Sequence, residues 1–181
     1  MFEVVDFDAF GDQDAFFNRY CGSLKEIRPV LEAKGFFTAP ASTKYHGACA
    51  CGLFKHSANV TMALMDLTEK LDLQWERKDS PVIVGMLHDL CKVDLYDYDI
   101  DTNSYKYSNK PIIKGHGMKS VIYAQRYGME LTDEEIACII YHMGAFTDKD
   151  EWNDYNAAIR KYPNVLWTHT ADMVASQIQE V

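Results

Sequence analysis

The sequence feature that most constrains the fold is an almost entirely apolar run that begins at Pro81 and carries His88 and Asp89 side by side. Ser80 before the proline is a strong helix-start signal, with serine as the N-cap and proline at the first helical position. The pattern predicts a helix over 81–92 that is buried on all sides and is therefore central. Burial of an imidazole and a carboxylate is costly unless something compensates them, and a divalent metal ion would do so.

Apolar residues recur at helical spacing along most of the remaining chain. The spacing predicts further helices over residues 12–34, 53–73, 116–128, 132–143, 151–162 and from 165 onward. Asp12 would cap the first of these helices and Gly35 would end it. Thr132 and Glu135 fit a capping box for the helix that Gly144 would end.

Two segments do not fit a helix. Residues 36–52 combine proline and glycine with several aromatic side chains, which is typical of a packed loop beside a site. Tyrosines on both sides of a polar turn in 94–111 predict a small hairpin. The predicted fold is all-α: one helical-bundle domain over 1–181, with its core in 53–181 and an N-terminal helix and loop, 12–52, packed on that core.

Composition narrows the function classes. A chain with 48% hydrophobic and 25% charged residues is globular, and its net charge of −9 disfavours an extended nucleic-acid groove. Its five cysteines, an odd number without a CxxC pair, disfavour a disulfide framework and favour a reducing compartment. The N-terminus is acidic where a signal peptide would be basic, and no apolar run approaches the roughly 20 residues of a membrane span. We therefore expect a cytoplasmic protein that does not bind membranes.

Four of the six histidines and two aspartates are candidate metal ligands. In chain order the candidates are His56, His88, Asp89, His116, His142 and Asp172. Successive gaps of about 30 residues match one helix plus one connection, so antiparallel helices can bring the side chains to a common centre. A single buried histidine is more often a hydrogen-bonded core residue, and His116, between two glycines, could instead lie in a solvent-facing turn. Taken together, the set predicts a metal centre.

The order His … His-Asp … His … His … Asp resembles that of the HD-domain superfamily of metal-dependent phosphohydrolases. The resemblance runs from His56 to Asp172 and includes the local context of the motifs. Residues 52–57 resemble the segment with the family's first histidine, 88–92 resemble the HDxxK form of its signature, and 169–172 resemble the segment with its last aspartate. The resemblance implies a helical bundle of the HD type.

The resemblance also implies a dinuclear centre. The first ion would be held by His56, His88, Asp89 and Asp172. Asp89 would bridge to a second ion that is also held by His116 and His142. The two ions would be divalent transition metals, drawn from manganese, iron, nickel, zinc and cobalt.

The implied activity is hydrolysis of a phosphomonoester or phosphodiester, with a nucleotide-like small molecule as substrate. Two ions can acidify a bridging water to hydroxide, orient the ester and stabilise the leaving oxygen. Asp89 and Lys92 would be the catalytic residues. Lys92, one helical turn after the histidine of the motif, could neutralise the phosphoryl group or could be a snorkelling surface lysine. His46, Lys119 and His169 are further substrate-binding candidates, and each could equally have a structural or surface role.

Two other functions share this ligand order. It also resembles the mixed-valent diiron oxygenases of the myo-inositol oxygenase type, and a non-catalytic, metal-stabilised nucleotide sensor is the third alternative. Lys92 in the HDxxK setting favours hydrolysis because an ammonium suits phosphate. The complete ligand set disfavours a sensor that has lost its chemistry. The sequence predicts neither the substrate nor the oligomeric state.

Overall fold

The computed structural model describes residues 10–45, 47–113, 115–147 and 149–179. Within these ranges the helices are α1 (Phe10–Tyr20), α2 (Arg28–Ala33), α3 (Gly52–Leu71), α4 (Ser80–Leu87), α5 (Gly117–Arg126), α6 (Asp133–Ile140), α7 (Trp152–Lys161) and α8 (Asn164–Val174). Strands β1 (Tyr96–Asp99) and β2 (Ser104–Tyr107) pair antiparallel. The predicted helical class and the predicted hairpin are therefore confirmed. No helix in the described ranges combines the length and apolar character that crossing a membrane requires.

Helix α3 lies at the centre of the fold and packs against α4 and α8, while α6 packs against α5 and α8. The core between them is continuous with the N-terminal segment, whose Phe16, Phe17 and Phe36 are buried in the same cluster as Phe54 of α3. Phe37 stacks on the Phe54 ring with the centroids 5.0 Å apart. The N-terminal helix and loop are thus packed on the bundle by aromatic contacts.

The predicted helix over 12–34 is wrong as a single element. The chain forms α1, a 3-10 turn at Gly22–Leu24 and then α2. Pro29 lies in the first turn of α2, where its missing N–H is harmless, whereas inside a longer helix it would break the hydrogen-bond ladder. Asp12 lies within the first turn of α1 and not at its N-cap, because α1 begins at Phe10. Gly35 follows α2 with φ of 82°, as expected of a helix terminator.

The central helix is shorter than the predicted 81–92. α4 ends at Leu87, Asp89 has non-helical backbone angles (φ −105°, ψ 18°), and a 3-10 turn covers Leu90–Asp94. The predicted N-cap is also wrong: Asp79 holds that position without a side-chain cap. The Ser80 hydroxyl instead donates to the buried Glu135 carboxylate at 2.7 Å, because an ionised carboxylate without water needs such donors.

The later elements follow the predictions closely. Thr132 accepts from the Glu135 N–H, and the Glu135 carboxylate accepts from the Thr132 N–H, so the capping box is confirmed. α6 ends at Ile140, slightly before the predicted 143, and Gly144 has φ of 55°. A π-helical turn, Ala175–Gln179, follows α8. All five cysteines are free thiols, in agreement with the prediction that they form no disulfide framework.

Candidate metal centre

All six predicted ligands converge on one point between the helices. His56 comes from α3, His88 caps the C-terminus of α4, Asp89 follows it, His116 caps the N-terminus of α5, His142 follows α6, and Asp172 lies in α8. Neighbouring imidazole rings lie with centroids 4.9 to 5.2 Å apart. Most of these side chains are buried, which is unusual for so many titratable groups.

One half of the cluster is built from His56, His88 and Asp172. The two Nε2 atoms of the histidines are 3.3 Å apart, and Asp172 Oδ1 lies 3.1 Å from His56 Nε2. Asp89 Oδ2 lies 3.6 Å from His56 Nε2 and 3.5 Å from His88 Nε2. One donor atom from each of His56, His88 and Asp172 falls within 4.8 Å of the others, so the three side chains could hold a single ion.

The other half meets the first at Asp89. Its Oδ1 atom lies 2.6 Å from His116 Nε2 and 3.6 Å from His142 Nε2. This oxygen is buried and has no well-aligned hydrogen bond among the described residues. Asp89 thus directs one carboxylate oxygen toward each half, which is the arrangement a bridging ligand needs. An orphaned buried acceptor among imidazoles fits a divalent cation, and the nitrogen and oxygen donors suit borderline metals.

Backbone carbonyls fix two of the rings. His88 Nδ1 donates to Gly85 O at 2.8 Å, and His142 Nδ1 donates to Ile139 O at 2.7 Å. Because a carbonyl can only accept, Nδ1 carries a proton in both rings, and Nε2 is the nitrogen that can offer a lone pair. In both cases Nε2 faces the cluster, so the tautomer that binds metal is already selected.

Close approaches at two glycines bring the ligand-bearing helices together. A Cβ atom at Gly85 of α4 would lie 2.6 Å from Thr61 Cα of α3. A Cβ atom at Gly117 of α5 would lie 2.4 Å from the carbonyl oxygens of Ile139 and Ile140. Only glycine allows such contacts. The first contact sets the separation of His56 from His88, and the second sets that of His116 from His142.

The charged neighbours of Asp89 control its ionisation. Lys92 is only 9% exposed, and its Nζ lies 2.6 Å from Asp89 Oδ2, so the surface-lysine alternative does not hold. Burial opposes ionisation of Asp89, but Lys92, His88 and His116 together hold the pKa of this carboxyl well below its usual range. Burial likewise disfavours the charged ammonium, yet the Asp89 carboxylate raises the pKa of Lys92 above its usual value.

The remaining ligands divide into charged and neutral groups. Although burial disfavours the charged ring, Asp89 raises the pKa of His116 to about 10. Burial lowers the pKa of His142, in agreement with a neutral ring bonded to a carbonyl. Burial also opposes ionisation of Asp172, but the adjacent His56 outweighs it and lowers the pKa of that carboxyl.

A cleft of about 540 Å³ opens onto the cluster. Its floor includes His56, Asp89, His116 and Asp172, and Lys92 lies in its wall. Aromatic and hydroxyl-bearing side chains form much of the rest: Ser42, Thr43, Tyr45, Tyr96, Tyr107 and Phe146. The 36–52 loop therefore borders the site, as its composition predicted, and the hairpin borders it as well.

The predicted substrate-binding residues do not all reach this cleft. His169 lines it, and its Nδ1 donates to His142 O at 2.9 Å. Lys119 lies in a second cavity of about 330 Å³, and its Nζ pairs with Asp94 Oδ1 at 2.5 Å. The structure thus does not bring Lys119 into the main cleft. His46 lies outside the described residues.

Sequence reasoning passed over Cys91 and Asp94. The Cys91 Sγ atom lies 3.4 Å from His116 Nδ1, directly behind a predicted ligand. Asp94 joins the 3-10 turn to α5, because it accepts from Lys119 and from the Tyr123 hydroxyl, the latter at 2.6 Å. The sequence places Cys91 only two residues after Asp89, which could have suggested that both lie at the site. That inference requires knowing that the helix ends before Asp89.

Comparisons with known proteins find no relative for this chain. No family model matches it, and no curated protein and no solved structure matches it.

Proposed function

We propose that this chain is a metal-dependent phosphohydrolase of the HD-domain type that cleaves a phosphomonoester or phosphodiester of a nucleotide-like small molecule. The observation that carries the proposal is the bridging position of Asp89, whose two oxygens face opposite halves of a six-ligand cluster. The same six residues make up the ligand order of the HD-domain superfamily. The floor of an open cleft is where such a cluster could meet a substrate.

In this proposal the donor atoms would form two ion positions. His56, His88, Asp172 and Asp89 Oδ2 would hold one, and His116, His142 and Asp89 Oδ1 would hold the other. Two divalent ions held there would lower the pKa of a bound water to about 7 and would neutralise phosphate charge. The His88 and His142 rings, whose Nδ1 atoms are held by carbonyls, would direct Nε2 at the ions.

Lys92 is the side chain that we assign to the phosphoryl group. Its ammonium is buried beside Asp89 and stays charged, since its pKa is raised. A fixed charge in a site shielded from water stabilises developing negative charge far better than a solvated one does. Lys92 favours hydrolysis over the oxygenase alternative because an ammonium suits a phosphate group.

The walls of the cleft support a substrate with a ring and one phosphate. Tyr45, Tyr96, Tyr107 and Phe146 offer aromatic surface on which a base can stack. Among the described residues that line the cleft, Lys92 is the only lysine or arginine. A polyphosphate would need more cations than that, whereas a monophosphate ester matches one ammonium plus the ions.

The test begins with protein purified without added metal. Elemental analysis should find more manganese, nickel, cobalt, zinc or iron in the wild type than in Asp89→Asn. The matched control is Asp154→Asn, which changes an exposed carboxylate on α7. The loaded protein is then assayed for phosphate release from nucleoside monophosphates and from bis-p-nitrophenyl phosphate. Release by the wild type and by Asp154→Asn, but not by Asp89→Asn, is the expected result.

Two results would replace the proposal. Bound iron together with substrate-dependent oxygen consumption and no phosphate release would indicate the diiron oxygenase. Tight nucleotide binding by metal-loaded protein without turnover across the panel would indicate the sensor.

A further inference from the structure

Cys91 lies in the 3-10 turn that follows the break in the central helix. In a continuous α-helix, residues two apart point in nearly opposite directions. Here the non-helical angles of Asp89 end the helix, and the 3-10 turn brings Cys91 Sγ to 3.4 Å from His116 Nδ1. The backbone N–H of Cys91 donates to Ser120 Oγ at 3.0 Å, which ties this turn to α5. The thiol is buried, at 1% exposure.

The contact at Nδ1 of His116 differs from the contacts at Nδ1 of His88 and His142, which are made to backbone carbonyls. His88 and His142 donate Nδ1–H to backbone carbonyls at 2.8 and 2.7 Å, and both rings are almost fully buried. His116 has only a sulfur atom behind Nδ1, and sulfur is a weak acceptor. Its side chain is also 31% exposed, because it precedes α5 and follows Gly115, which has φ of 90°.

Space for movement lies on both sides of this ring. His116 lines the main cleft and also the second cavity of about 330 Å³, which Cys91 lines as well. His88 and His142 line neither cavity. The His116 ring can therefore turn away from Asp89 without displacing packed side chains, whereas the other two rings cannot.

We infer that Cys91 is the positioning residue for His116, and that the two metal positions are unequal because of it. The position built on His56, His88 and Asp172 holds its ion tightly. The position that needs His116 holds an exchangeable ion, whose affinity depends on the hydrogen bond from His116 Nδ1 to the Cys91 sulfur. The inference rests on the metal centre of the proposed function and does not depend on which reaction the centre performs.

The experiment measures metal binding and not catalysis. Metal-free protein is titrated with Co²⁺ in equilibrium dialysis, and binding is followed in parallel by visible absorption. The wild type should bind two ions with separate affinities. Cys91→Ala should weaken the second ion by roughly 10- to 100-fold, the usual effect of removing the group that orients a ligating histidine, and leave the first unchanged. Cys91→Ser, whose hydroxyl can accept the same hydrogen bond, should restore most of the loss.

The matched control is Cys21→Ala, which removes another fully buried thiol from the core far along the chain and should leave both affinities unchanged. If the alanine variant at position 91 does not fold, Cys91→Val removes the acceptor without leaving a cavity. Equal affinities for both ions in the wild type would overturn the inference, as would an unchanged second affinity in Cys91→Ala. A near-ultraviolet sulfur-to-cobalt charge-transfer band that is lost in Cys91→Ser would also overturn it, because the sulfur would then be a ligand itself.

An inactive protein with two unequal Co²⁺ sites sensitive to Cys91 would refute the phosphohydrolase and leave this inference standing. An active enzyme whose two ions bind alike would do the reverse. The two proposals therefore fail on different measurements.

Discussion

Gly85→Ala is the sharpest test of how the helices assemble the cluster. The new Cβ atom would lie 2.5 Å from Thr61 Oγ1, 2.6 Å from Thr61 Cα and 2.9 Å from Thr61 N. The hydroxyl can rotate away, but the backbone atoms cannot. Because ordinary carbon contacts begin near 3.4 Å, α4 would have to move from α3 by about 0.8 Å. That displacement is about a quarter of the 3.3 Å that separates the Nε2 atoms of His56 and His88.

The magnitude combines two opposing effects. Overpacking a core contact costs about 1–3 kcal/mol, and a clash with backbone belongs at the upper end. Alanine in place of glycine within a helix returns about 1 kcal/mol. We therefore expect a net loss of about 2 kcal/mol in the free energy of unfolding. Metal affinity should fall as well, since ligand positions tolerate only about 0.2 Å of error and the shift separates His88 from His56.

Urea denaturation and Co²⁺ dialysis measure the two effects separately. Gly22→Ala is the matched control, because a Cβ atom there meets nothing within 4 Å and should change neither quantity. A Gly85→Ala protein with wild-type stability and wild-type metal affinity would refute the reasoning, since it would mean that the contact between α3 and α4 does not set the ligand geometry.

Four further predictions follow from the same geometry. Lys92→Met should retain metal but lower the rate of phosphate release by roughly 10²- to 10³-fold, measured with saturating metal. Glu135→Ala should cost about 3–5 kcal/mol in urea denaturation, because it leaves the paired Arg77 and the Ser80 hydroxyl without their acceptor, while Glu130→Ala on the surface should cost less than about 0.5 kcal/mol. Since the pKa of His116 is raised to about 10, its ring must lose a proton to bind metal; affinity should rise with pH up to about 10, and calorimetry in buffers of different ionisation enthalpy should detect proton release. Chelation should lower the melting temperature without abolishing the helical circular dichroism, because the hydrophobic core is complete without ions.

The local pattern of the sequence predicted helices and the hairpin because capping residues and cross-strand pairs can be recognised in the sequence. Thr132 and Glu135 satisfy each other's backbone groups, and the tyrosine pairs Tyr96–Tyr107 and Tyr98–Tyr105 lie opposite each other across the two strands. The six ligands were predictable for a related reason. A histidine or aspartate on an apolar helix face stands out in the sequence, and their regular separation matches the length of helices that run side by side.

The breaks and the close approaches could not be predicted in the same way. No proline or glycine marks the end of α4 before Asp89. Residues 90–94 also have helical spacing, so the sequence pattern predicts that the helix continues. The role of Gly85 depends on Thr61, which is distant in sequence, so it is visible only when both helices are in place. Lys119 was predicted to bind substrate because it lies on the helix that follows His116. Its ammonium instead forms an ion pair with Asp94 of another element, which the sequence pattern does not reveal.

The charge balance of the cluster explains how a core can fold around so many ionisable groups. An unpaired Asp89 carboxylate at this depth would cost several kcal/mol, but Lys92 pairs with it through one oxygen. Burial lowers the pKa of His142, so this ring stays neutral while it donates to the Ile139 carbonyl and needs no counter-charge. The other oxygen, Oδ1, lies 2.6 Å from Nε2 of the partly exposed His116, whose ring carries a charge in the absence of metal because Asp89 raises its pKa to about 10. Because both Asp89 oxygens have a cationic partner without any metal ion, the metal-free protein can fold first and take up its ions afterwards through the open cleft.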